Sequence, residues 1–212
     1  MTALISQRAP VPRDPHALDA LTRLVDATRE LMAAAATTDV EPDEVARATS
    51  LIEQATEELS ARRRDRVHRM PLDADWAARA RAGEPVTMAW LNPLRFPLEV
   101  VIEGRRATTT MVPEAIHEGP PESLHGGWTA AILDHLLGIL ICAHDLPART
   151  AQLTLTYRRG TRLDVPTEFG GEIVEIQGRK AVTRAWVRQE GVTTVEADGL
   201  FVLPRTEAVS PS

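Results

Sequence analysis

The chain has 212 residues, 43% of them hydrophobic, enough to enclose one core of ordinary size with an appendage beside it. Its formal net charge of -6 argues against a nucleic-acid binder, and its single cysteine, Cys142, excludes an intramolecular disulfide and fits a reducing compartment. Met1 to Arg8 lack the apolar stretch of a signal peptide, and the longest apolar run is cut by Asp134 and His135, so the expectation is a soluble, cytoplasmic protein with no membrane partner.

From Pro15 to about Ala36, Leu18, Leu21, Val25, Leu31, Met32 and Ala35 keep helical spacing, with Arg23, Asp26 and Glu30 between them. Thr37, Thr38 and Asp39 break that helix. Pro42, followed by Asp43 and Glu44, starts a second one with Val45, Ala48, Leu51, Ile52, Ala55 and Leu59 on one face. Arg62, Arg63 and Arg64 are expected in its last turns, where cations suit the helix dipole. Residues 1–67 therefore read as a helical-hairpin extension. His68 to Phe96 holds three prolines and no sustained period, so 68–96 reads as a surface linker that positions Trp76 and Trp90.

After Pro97 the period changes to two. Leu98 to Glu103 and Ala107 to Val112 flank Gly104-Arg105-Arg106 and predict a hairpin. A long apolar helix is expected from Gly126 to about Ala143. Strands follow over 151–158, 169–177, 181–189 and 193–203, punctuated by Gly160, Gly178 and Gly191. A helix that apolar cannot lie on a surface, so the antiparallel sheet must wrap around it: an α+β fold occupying 97–204, with 205–212 as a disordered tail.

The loop Glu118-Gly119-Pro120-Pro121-Glu122-Ser123-Leu124-His125-Gly126-Gly127 carries the chemistry. It delivers backbone N–H groups to a helix start, where an oxygen can be polarised, and the helix it opens carries one carboxylate, Asp134. A lone acid in an apolar helix needs a reason. His125 reads as a residue that fixes the loop, with a direct catalytic role as the alternative. His135, about 100° round the helix from Asp134, reads as a satisfied, partly buried histidine, and Cys142 as core packing.

This order of elements, with Gly119-Pro120-Pro121, His125-Gly126-Gly127, Asp134, Thr150-Ala151-Gln152-Leu153, Tyr157-Arg158-Arg159, Gly178-Arg179-Lys180 and Ala197 to Phe201, resembles the PaaI-like branch of the hotdog-fold acyl-CoA thioesterases. The resemblance covers about Asn92 to Leu203. It implies a hotdog fold and hydrolysis of an acyl-CoA thioester, with coenzyme A as part of the substrate and no separate cofactor or metal. It also implies a site in which Gly126 supplies an oxyanion donor, Asp134 acts as base or nucleophile, and Thr150 orients water or the carboxylate. Gly127, Thr156, Arg158, Arg159, Arg179 and Lys180 are the positions that would meet substrate and the coenzyme phosphates. Two departures stand out. Gly160 replaces the proline common after the Tyr-x-Arg, which is expected to loosen that turn, and Gly119 stands where some relatives place an asparagine, leaving His117 or Glu118 as candidate substitutes.

Gly126 and Asp134 lie roughly 12 Å apart along one helix at the usual rise, so the pair cannot serve one carbonyl carbon within a single chain. Two such helices packed antiparallel across a two-fold axis would bring Gly126 of one copy to Asp134 of the other, which predicts a homodimer, with dimers of dimers as a further step. Ala130, Asp134 and Gly138, at four-residue spacing, form a small-residue face for that approach. The alternatives are a non-catalytic acyl-CoA-binding or scaffolding protein and an enoyl-thioester hydratase or dehydratase.

Overall fold

The structure, a computed structural model, describes residues 14–68, 74–87 and 91–204. Trp90 and the expected tail at 205–212 lie outside the described residues. The described residues fall into two compact units, one of 14–68 with 91–95, the other of 74–87 with 96–204.

In the first unit, Asp14 caps helix α1 (Pro15–Thr37) by accepting the His16 N–H, and Pro15 takes the first helical position, where its missing N–H costs nothing. Helix α2 (Pro42–Ser60) also has proline at its first position, with Asp43 and Glu44 against its positive end. It stops at Ser60, so Arg62, Arg63 and Arg64 lie beyond the helix and not in its last turns. Arg63 instead turns its guanidinium back onto the Ser60 hydroxyl. Only Val25, His68 and Leu91 are buried among this unit's described residues.

The second unit begins within the stretch read as a linker. Residues 74–81 form helix α3 (Ala74–Arg81), whose Trp76, Ala77 and Ala80 are buried in the core. Eight residues carry too little periodicity to declare a helix, and tertiary burial makes this one. Arg81, in its last turn, donates to the Ala143 carbonyl at 2.5 Å and to Asp145 at 2.9 Å.

Strands β1 (Val101–Glu103) and β2 (Arg106–Met111) form the expected hairpin, closed by Gly104 and Arg105, with Gly104 at φ 58°, the left-handed conformation a tight two-residue turn needs. Helix α4 (Gly126–Ala143) follows, then β3 (Arg149–Tyr157), β4 (Thr167–Gln177), β5 (Lys180–Gln189) and β6 (Val192–Val202). All pairings are antiparallel, in the order β1-β2-β4-β5-β6-β3. This is the α+β hotdog architecture, a six-stranded sheet around one central helix.

Helix α4 is long and apolar enough to cross a bilayer, yet it serves as the core: Ile132, Leu133, Leu136, Leu137, Ile139 and Leu140 are all 1% exposed or less. Glycines in the sheet make room for it. A Cβ on Gly171 would stand 2.7 Å from Leu137 Cδ2, and one on Gly199 would stand 3.4 Å from Cδ1, so Leu137 fills a hollow between β4 and β6.

Candidate active site

The loop before α4 is built as a small β-like closure. Gly119 N–H donates to the Ser123 carbonyl, His125 N–H to the His117 carbonyl, and Ser123 N–H to the Pro120 carbonyl. Glu122 sits at φ 58°, and the Glu118 carboxylate accepts its N–H at 2.6 Å. His125 is the N-cap of α4, and its Nδ1 accepts the Gly127 N–H at 2.9 Å. A Cβ on Gly127 would crowd the His125 ring at 3.0 Å. His125 thus spends one ring nitrogen on holding the helix start.

Gly126 occupies the first position of α4, and among the described residues no acceptor engages its N–H. Its carbonyl accepts the Tyr157 hydroxyl at 2.8 Å, and a Cβ on Gly126 would come within 2.9 Å of that oxygen. The donor at the positive end of the helix is therefore clamped by a strand residue whose phenol is held above its ordinary pKa by partial burial and stays protonated. Sequence reasoning named Tyr157 in a motif without giving it a role. Nothing in the sequence spacing tells that the end of β3 overlies the start of α4.

Eight residues on, the half-buried Asp134 carboxylate accepts the Thr150 hydroxyl at 2.7 Å. A bulge makes this contact. Leu153, Leu155 and Tyr157 face the helix and pair with Gly199, Ala197 and Val195, so strict alternation would turn Thr150 outward. The register shift between Thr150 and Gln152 leaves Ala151 unpaired and restores Thr150, opposite buried Phe201, to the inner side. Beside Asp134, the position of a Gly138 Cβ has no neighbour within 4 Å, and Ala130 is half-buried, so this face of α4 is open.

Within one chain the candidate groups form two clusters. Gly126 with Tyr157 marks one end and Asp134 with Thr150 the other, about 12 Å apart along the helix. Arg158 and Arg159 follow Tyr157 and both donate backbone N–H groups to the Thr194 carbonyl. The Arg158 guanidinium pairs with Glu196 at 2.7 Å, while Arg159 lines a shallow cavity with Gly160 and Arg162. Arg179 donates to the Leu203 carbonyl at 2.6 Å and so ties down the end of β6. Lys180 is exposed and level with Val202 and Arg149, at the Thr150 end of the sheet. Thr156 pairs with Glu196 on the face of β3 opposite Tyr157.

Both sequence departures have structural counterparts. Gly160 does not loosen its turn: a Cβ there would stand 2.8 Å from the Ser123 hydroxyl, and Leu124 N–H donates to Thr161 just beyond, so the segment closes tightly on the loop before α4. Gly119 leaves no room for an asparagine, since a Cβ would lie 2.7 Å from His125 Cα. Glu118 is occupied with Glu122. His117 accepts the Glu114 N–H through Nδ1 and packs on Phe96 at 5.3 Å, which meets Trp128 edge-on at 5.5 Å. Burial lowers the His117 pKa, against a smaller opposing pull from Glu114, which keeps the ring neutral for that acceptor role.

Residues 122–196, which run from the later part of the loop through α4 and β3 to β5 into β6, match the Thioesterase superfamily. The match falls wholly within the sheet-and-helix unit. A Xenopus laevis protein named acyl-coenzyme A thioesterase THEM4 is 29% identical to the chain over 103 residues, covering 46% of this chain and 45% of its own length. The chain thus spans under half of that curated relative. The solved thioesterase-superfamily protein RHA08564 is 26% identical and superposes with a TM-score of 0.72, covering 92% of this chain and 98% of its own. A Streptococcus mutans UA159 protein, smu.793, solved bound to acetyl CoA, shares the fold at 16% identity and a TM-score of 0.50, covering 52% of this chain and 91% of its own. Both Gly126 and Asp134 lie within the matched residues.

Proposed function

We propose that the chain hydrolyses an acyl-CoA or acyl-carrier thioester to free acid and thiol, at a site completed by two copies, and that it is of the PaaI-like branch its motifs resemble. The observation that carries the reading is the Asp134 carboxylate, held by Thr150 on the open, small-residue face of α4, while the helix N-terminus presents the Gly126 N–H. An antiparallel two-fold between such faces brings the oxyanion donor of one copy to the acid of the other. In the reaction, Asp134 takes a proton from water as the water oxygen bonds to the thioester carbon. The carbonyl oxygen gains charge against the Gly126 N–H, the C–S bond breaks, and the thiolate leaves with the proton that Asp134 holds. The variant route has Asp134 itself attack to form a mixed anhydride that water opens.

The same two-fold gives the cations a common purpose. Arg158 and Arg159 lie at the Gly126 end of one copy, and Lys180 at the Thr150 end of the other, so cations from both would flank one site and suit the phosphates of coenzyme A. Arg179 acts mainly on Leu203 and shapes the turn that presents Lys180.

The test is thiol release from a panel of acyl-CoAs, wild type against Asp134→Ala and Asp134→Asn. Turnover is expected to vanish in both with the assembly intact; wild-type turnover in either would end the reading. Single turnover in heavy-oxygen water separates the routes, since label in the Asp134 carboxylate reports direct attack.

A further inference from the structure

Helix α2 is exposed along its whole length, with no buried residue, and its exposure is not that of a polar helix. Val45, Ala48, Ile52, Ala55 and Leu59 recur at alternating steps of three and four, the spacing of a coiled-coil seam, and Val45, Ile52 and Leu59 are 43%, 40% and 55% exposed. Helix α1 repeats the pattern with Ala20, Leu24, Ala27, Leu31 and Ala34, all exposed, although its other side contributes buried Val25. Two helices that show apolar stripes to water find no cover for them among the described residues.

The stripe on α2 is self-complementary when run antiparallel. Centred on Ile52, a two-fold sets Val45 opposite Leu59 and Ala48 near Ala55, large against large and small against small. Charge follows the same symmetry. The first turn and its approach carry Glu41, Asp43 and Glu44, whereas the segment after the last turn carries Arg62, Arg63, Arg64 and Arg66. The arginines surround a cavity of about 340 Å³ floored by Leu21, Val25 and Leu59, which lies where the acidic turn of a second copy would arrive. We infer that α2 pairs antiparallel with α2 of a second copy of this chain. A membrane suits the surface poorly, because α2 carries five carboxylates against the single cation Arg47 and anionic lipid would repel it. This contact is separate from the Gly126 and Asp134 faces and stands whether or not those form a shared site.

Cysteine cross-linking tests the pairing without disturbing the core. In a full-length chain carrying Cys142→Ala, Ile52→Cys at the centre of the seam should oxidise to a covalent dimer in high yield, and Ser50→Cys, on the opposite side of α2, should not. Adding Glu41→Arg to Ile52→Cys should cut the yield several-fold, and adding Arg63→Glu as well should restore it. Equal yields from Ile52→Cys and Ser50→Cys, no dimer from either, or no rescue by the double charge reversal would overturn the inference and leave the stripe to a different partner.

Discussion

The two units of this chain began with the same sequence signal and reached opposite ends. Helix α4 and helices α1 and α2 all show apolar residues at helical spacing, yet α4 is enclosed by its own sheet while α2 buries nothing. The difference lies in supply. Six strands give α4 a concave surface with glycine hollows matched to its side chains, as Gly171 and Gly199 are to Leu137, whereas α1 and α2 have no third element of sufficient size among the described residues of their unit. Amphipathicity therefore marks a helix that needs covering without saying which molecule covers it.

Four measurements sharpen this contrast. Leu137→Ala should cost about 2–5 kcal/mol of stability, because the sheet cannot collapse around the loss, and thermal or denaturant unfolding reads it directly. A loss below about 1 kcal/mol would mean the core is looser than its burial indicates. Thr150→Val keeps the shape and deletes the hydroxyl that holds Asp134. Its expected cost is about 1.5–3 kcal/mol of transition-state stabilisation, roughly a 10- to 150-fold fall in kcat/KM for thiol release with folding unchanged.

The pH dependence comes third. His117 is held below its ordinary value near 6.5 in the folded state, so on acidification the unfolded chain takes up the proton first. The neutral ring's contribution is fully present above that value and is lost as pH falls through the lower folded pKa. Unfolding midpoints measured on the acid side should therefore drop less steeply in His117→Gln than in wild type; identical slopes would remove His117 from the account. The smallest effect belongs to α2. Leu51, 65% exposed and beside the seam rather than in it, should change stability by no more than about 0.5 kcal/mol when replaced by alanine. A loss comparable to that at Leu137 would show α2 to be more deeply covered in solution than any described contact explains.

Much of the fold was legible from residues 97–204, because strand alternation and the uninterrupted apolar face of α4 are local patterns whose period is set by backbone geometry. The hairpin at Gly104, the order of the strands and the start of α4 at Gly126 follow from such patterns. Helix α3 does not, since its burial comes from a core assembled by residues far along the chain. The candidate site divides the same way. Asp134 is visible as an acid where apolar residues are the rule, and His125-Gly126-Gly127 as a helix start rich in bare backbone.

What residue order alone determined is which groups exist and on which element each sits. The tertiary structure decided their meeting. One unpaired residue, Ala151, reverses the facing of Thr150 and delivers its hydroxyl to Asp134, and the antiparallel lie of β3 over α4 sets the Tyr157 hydroxyl on Gly126. Both contacts span sixteen or more residues, as 16 and 31 positions separate the partners. Periodicity is a property of neighbours in sequence, whereas a bulge and a strand crossing are settled by the packing of the whole sheet against its helix.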